Sequence, residues 1–123
     1  MIIGIGTDII EVARIKESIE KYGERFLKRI FTDVEIEYCE TYKEHKYLHY
    51  AARFAAKESF SKAIGTGITQ GFKLNEVGIR NEKSGKPVID LRGGLAEKYG
   101  HYKCYVSLSH TEGNAVSYIA LTE

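Results

Sequence analysis

The chain has 123 residues, 43% of them hydrophobic and 28% charged, which suffices for one folded core and excludes a mainly disordered protein. The 18 Lys and Arg against 17 Asp and Glu leave a net charge of +1, which excludes the global positive field of a nonspecific nucleic-acid binder. No apolar run approaches the ~20 residues that span a bilayer, which excludes an integral membrane protein.

The opening run Ile2–Ile5, ending in Gly6-Thr7-Asp8, predicts a buried strand with Asp8 at its carboxyl end. A helix follows over about Glu11–Tyr22, with Val12, Ile15, Ile19 and Tyr22 on its buried face and Gly23 as its stop. Thr32-x-x-Glu35 has the form of a capping box and opens a helix through about Tyr42, with Val34 and Tyr38 inward. Residues 45–64 form the strongest helical segment, ended by Gly65. Beyond Gly71, Leu74–Ile79 and Val88–Leu91 flank the turn residues Asn81–Pro87 as a hairpin. A brief helix near Leu95–Tyr99 precedes an alternating strand over Tyr102–His110 and a last strand over Ala115–Leu121. The expected fold is α+β: one domain over residues 1–123, with early helices and a long central helix packed on a mainly antiparallel sheet. Cys39 and Cys104 form no CxxC spacing and the amino terminus lacks a signal-peptide layout, so a reduced, cytoplasmic protein is expected.

On the central helix, spacing places Phe54, Glu58 and Lys62 on one face with Ser61 beside them. A Glu–Lys pair at this spacing is most often a surface ion pair. The Ile64-Gly65-Thr66-Gly67 segment at the helix end adds a turn whose amides are expected to stand free for an anion. A carboxylate, a lysine and a glycine turn suit a diphosphate held with Mg²⁺, and Asp8 is the candidate second carboxylate, with capping of the first helix as its alternative. Gly4-x-Gly6 lacks the third glycine of a dinucleotide fingerprint, Gly65-x-Gly67 lacks the Walker pattern, and His45-x-x-x-His49 lacks the glutamate of a zinc-protease helix. Ser107 and Ser109 near His110 lack a nucleophile elbow, whereas His110 at a strand end suits a phosphate.

These residues together resemble the holo-acyl-carrier-protein synthases of the 4′-phosphopantetheinyl transferase superfamily. Gly4–Ile9 is similar to that family's first motif and Phe54–Ile68 to its longer second one, while Asn81–Pro87 and Val106–Thr111 resemble its later turn and strand. Ser59 stands where many such synthases have Ala, and Glu17, Glu20 and Glu24 make the first helix less basic than the family pattern. The resemblance implies transfer of phosphopantetheine from coenzyme A to a serine of apo acyl carrier protein. The metal, Mg²⁺ with Mn²⁺ as a substitute, would sit on Asp8 and Glu58, and Glu58 would serve as base. Coenzyme A would meet Lys62, Ser61, Gly65 and Thr66 at its diphosphate and Arg53, Pro87, His110 and Thr111 at its nucleotide end. A homotrimer with active sites between protomers is implied as well. In the family the Arg14 region meets the acidic carrier, and helical geometry gathers Arg14, Ser18, Lys21 and, if the helix continues past Gly23, Arg25 into a basic strip. A noncatalytic nucleotide-binding module remains the competing class, and an RNA-binding domain is disfavoured by the near-zero charge.

Overall fold

The computed structural model describes residues 1–69 and 71–123. Strand β1 (Ile2–Glu11) leads directly into helix α1 (Val12–Tyr22), then α2 (Glu24–Ile30), α3 (Asp33–Glu40) and the long α4 (Lys46–Ala63). A hairpin of β2 (Val77–Asn81) and β3 (Pro87–Leu91), the short helix α5 (Gly93–Tyr99), and strands β4 (Lys103–His110) and β5 (Asn114–Thr122) complete the chain. β5 lies between β1 and β4 in an antiparallel sheet, while β2 and β3 pair only with each other. The expected α+β fold is what forms.

Helix α4 crosses the inner face of the three-stranded sheet and is buried along most of its length. Two glycines permit that crossing, because a Cβ at Gly4 would collide with the Ala63 carbonyl oxygen and one at Gly6 with that of Ser59. The Gly4-x-Gly6 spacing is therefore a helix-packing feature. One apolar cluster joins α1, α3 and the first half of α4 around Ile15, Phe31, Cys39 and Tyr50; a second joins Phe60, Val77, Ile119 and Leu121. Ser59, the position that departs from the family pattern, is buried against Ser117 of β5, and the two hydroxyls bond each other.

Several sequence expectations shift by physical detail. β1 runs to Glu11, past Asp8, because its pairing with β5 continues to Asn114. Residues 24–30, left unassigned by the sequence pattern, form α2, which begins at Gly23, a residue whose φ of 62° bends the chain between the two helices. Tyr22 is exposed, so only Val12, Ile15 and Ile19 form the buried face of α1. The Thr32 capping box forms with both bonds, Thr32 N donating to Glu35 Oε1 at 2.8 Å and Glu35 N to Thr32 Oγ1 at 3.2 Å. It turns α3 so that Glu35 and Cys39 face inward while Val34 is exposed and Tyr38 half-buried.

Candidate functional site

Asp8 lies on the inner face of β1, and α4 brings Glu58 and Lys62 over it. Lys62 does not pair with Glu58 along the helix. Its ammonium reaches across to Asp8 Oδ1 at 3.1 Å and to the Thr7 carbonyl at 3.0 Å. Nor does Asp8 cap α1: Glu11 holds the N-cap position without a side-chain bond, and Val12 N donates to Gly113 O. Asp8, Glu58, Arg14, Ser18, Phe26 and Phe54 line a cleft of about 270 Å³. Partial burial pushes the Glu58 carboxyl above its ordinary range, and the nearby Asp8 carboxylate adds to the effect against the opposing pull of Lys62 and Arg14.

Five residues earlier on the same helix, Arg53 marks a second cleft of about 250 Å³ that also receives His49, Asn81, Pro87 and His110. Arg53 is 2% exposed and makes no ion pair with a carboxylate among the described residues. Its guanidinium donates to Asn81 Oδ1 at 2.6 Å and to the His49 carbonyl at 3.2 Å, lies over the Tyr38 ring at 4.3 Å, and leaves Nε without a partner. His49 stacks on Tyr42 with 3.6 Å between ring centroids and meets His110 edge-on at 5.7 Å. Burial and the Arg53, His110 and His45 charges lower His49 to about 4, so it is neutral at neutral pH. An unpaired buried guanidinium with a free N–H beside two imidazoles attracts an anion.

The structure thus brings Arg53, Pro87 and His110 together in one cleft and Asp8 and Glu58 in another, with Lys62 bonded to Asp8. Other expected contacts differ. Ser61 is buried, with its hydroxyl donating to the Glu58 carbonyl at 2.6 Å. The glycine-turn amides are not free: Gly65 N donates to Lys62 O, and Thr66 N and Gly67 N both donate to Ser61 O. Thr111 closes the β4–β5 turn, its Oγ1 accepting from Asn114 N at 3.1 Å. Asn81, Tyr38 and His49 join this cleft through long-range packing that no local pattern signals, although Asn81 lies in the turn segment Asn81–Pro87. The cysteines supply no nucleophile, since burial pushes Cys39 and Cys104 up to about 12.

Arg14 and Ser18 line the Asp8–Glu58 cleft itself, and Phe26 joins that cleft to a groove lined by Lys21, Tyr22, Arg25, Phe26 and Arg29. The helix breaks at Gly23, yet α2 places Arg25 beside Lys21 and adds Arg29, which the strip expected on one helix could not include.

The family model described as 4′-phosphopantetheinyl transferase superfamily matches residues 4–119. The chain belongs to this superfamily. It is 49% identical over 121 residues to the holo-[acyl-carrier-protein] synthase of Ruminiclostridium cellulolyticum, covering 96% of this chain and 90% of that protein. Among solved structures of the family, the Neisseria meningitidis holo-[acyl-carrier-protein] synthase matches with a TM-score of 0.87 at 33% identity, over 100% of both chains. The Bacillus anthracis holo-(acyl-carrier-protein) synthase, crystallised in complex with CoA (3′,5′-ADP), matches with a TM-score of 0.84 at 34% identity, over 100% of this chain and 99% of that one.

Proposed function

We propose that this chain, acting as a single domain, transfers 4′-phosphopantetheine from coenzyme A to a serine of apo acyl carrier protein and releases adenosine 3′,5′-bisphosphate. The observation that carries this reading is the pair of clefts on α4. Arg53 and Glu58 are five residues apart, about 7.5 Å along the helix axis, so one helix serves both a nucleotide end and a reacting diphosphate. Arg53, with His110 and Pro87, takes the nucleotide and its phosphate, and Thr111 stands at the rim beside His110. Lys62 supplies a point charge to a diphosphate oxygen. The serine oxygen bonds to the pantetheine-side phosphorus as the bridging P–O bond breaks, and the serine proton passes to Glu58, whose raised basicity suits that role.

The donor set at Asp8 and Glu58 fits Mg²⁺ or Mn²⁺, both of which take carboxylate oxygens and leave room for phosphate and water. Such an ion would offset the charge that develops on the diphosphate. Arg14, Ser18, Lys21 and Arg25 form the docking side for an acidic carrier, which their groove delivers to the Asp8–Glu58 cleft past Phe26.

The outer face of the sheet supports assembly into a homotrimer. Ile5, Ala120 and Tyr105 form one row across its strands, Thr7, Tyr118 and Ser107 the next, and Ile9, Val116 and Ser109 a third. Ile5, Ile9, Tyr105, Val116 and Tyr118 are all exposed on this face, and so many large apolar side chains together call for a covering partner. Ser107 belongs both to this face and to the Arg53 cleft, which supports a cleft lying near the boundary between protomers. No helix among the described residues is long and apolar enough to cross a membrane, and a cytoplasmic site of action accords with the proposed substrates.

Incubation with coenzyme A, Mg²⁺ and an apo carrier, followed by weighing of the carrier, tests the reaction. One phosphopantetheine of added mass is expected. Binding of coenzyme A with no change in carrier mass would leave a noncatalytic module instead.

A further inference from the structure

The hairpin that carries Asn81 and Pro87 has, among the described residues, no strand paired to the outer edge of β2. Glu82 N bonds to Lys86 O and Arg92 N to Glu76 O, so even-numbered residues of β2 face β3 and Val77, Ile79 and Asn81 turn their backbone groups outward. Two of those outward groups end on side chains. Val77 O accepts from Lys57 Nζ at 2.6 Å, and Ile79 N donates to Glu35 Oε2 at 3.0 Å. Lys57 also donates to Glu35 Oε1 at 2.7 Å, and both side chains are 0% exposed. That same Glu35 oxygen closes the capping box of α3. The ion pair therefore stands where a third strand would, and joins α3 and α4 to the hairpin. Neither side chain lines the Arg53 cleft or the Asp8–Glu58 cleft.

We propose that Glu35 and Lys57 are positioning residues that set the nucleotide cleft by fixing the hairpin against α4. The route is short and made of direct bonds. Pinning Val77 and Ile79 sets the place of Asn81 two residues on; Asn81 Oδ1 takes the Arg53 guanidinium at 2.6 Å, and its Nδ2 closes the turn on Gly85 O at 2.9 Å. Pro87 is the register partner of Asn81, so it moves with the same unit. Lys57 immediately precedes Glu58, but its side chain leaves the helix about 100° away and is bound to Glu35 and Val77, so the pair acts on the Arg53 cleft and not on the Asp8 centre. This inference rests on the reading of the Arg53 cleft as a coenzyme A nucleotide site.

The experiment uses Glu35→Gln with Lys57→Met, a neutral pair of similar shape that avoids leaving one buried charge alone. Relative to the parent, the double variant is expected to raise the KM for coenzyme A about fivefold, the scale of one misplaced hydrogen bond. The KM for the carrier and kcat stay within about twofold, since other elements build the docking groove and reacting centre. Asn81→Ala raises the same KM, and adding it to the double variant produces no further rise. A lower melting temperature with an unchanged coenzyme A KM, or additive effects with Asn81→Ala, overturns the proposal. If the double variant does not fold, amide exchange in the parent gives a second reading, because bound nucleotide must stabilise the hairpin if the hairpin sets the cleft. Adenosine 3′,5′-bisphosphate is then expected to slow exchange at Ile79 N more than at Ala56 N in mid-α4. Equal slowing at both, with the nucleotide bound, overturns the positioning role alone, whereas failure of the nucleotide to bind overturns the nucleotide-site reading and this inference with it.

Discussion

The two clefts on α4 are built in different ways. At Asp8, Glu58 and Lys62, opposite charges meet across a single helix–strand contact, and the lysine already neutralises one carboxylate. At Arg53 and His110 the charge is one-sided: the guanidinium is buried without an acid and held by an amide oxygen, a carbonyl and an aromatic face. The first arrangement suits a centre where charge and protons move during a reaction, and the second a fixed receptor for an anion. Substitutions in the first should therefore reduce turnover, and substitutions in the second should weaken coenzyme A binding.

The largest effect is expected at the first cleft. Asp8→Ala and Glu58→Gln each lower kcat on the order of 10²–10⁴-fold, the range for loss of a positioned acid–base or charge-stabilising group. Retention of parent turnover by either variant at limiting Mg²⁺ would remove the two-carboxylate centre. Next comes Arg53→Lys, which keeps the charge but gives up the forked geometry toward Asn81. Its KM for coenzyme A should rise about tenfold, as for one lost charge-assisted hydrogen bond, with the carrier KM unmoved. A carrier KM that rises equally would merge the two clefts into one function.

A smaller effect, sensitive to salt, belongs to the docking groove. Arg14→Glu or Lys21→Glu should raise the carrier KM several-fold at low salt and leave coenzyme A binding unchanged, and added salt should produce the same change in the parent by screening. Silence of both variants would move docking away from α1.

Glu58 also gives a stability effect of opposite sign to its effect on turnover. Because its carboxyl is raised above the ordinary value, the folded protein disfavours the ionised form, and the associated stability is present at low pH and lost as pH rises through the raised range. Glu58→Gln should therefore melt higher than the parent at neutral pH, with the difference vanishing below the ordinary carboxylate range. A thermal melt series across pH that shows the variant less stable at neutral pH would contradict the crowding of Glu58 by burial and Asp8.

What the sequence made legible follows the same division. Asp8, Glu58 and Lys62 sit in two short runs whose residue types and spacing carry their chemistry, and the capping box at Thr32 needs only local pattern. Arg53, Pro87 and His110 were readable through family likeness, but Asn81 as the partner of Arg53 was not, since the two are 28 residues apart and no periodicity links them. Glu35 is legible only as the capping-box residue, and its buried pairing with Lys57, 22 residues on, has no signature in the local pattern. The glycine turn misled for a physical reason: Gly65–Gly67 permits free amides, yet the carbonyls of Ser61 and Lys62 at the helix end are themselves unsatisfied and take those amides first. Helix α2 lies outside the expected elements because Gly23 reads as a helix stop, whereas its φ of 62° only turns the chain between two helices.

The division of labour along α4 is tested most directly by calorimetric titration of coenzyme A, without divalent metal, into the parent, Asp8→Asn and His110→Ala. The dissociation constant of Asp8→Asn should stay within about twofold of the parent, as expected for separate sites, while that of His110→Ala weakens at least about fivefold through loss of one phosphate contact. Equal weakening in both variants would contradict the assignment of reaction to one cleft and nucleotide recognition to the other.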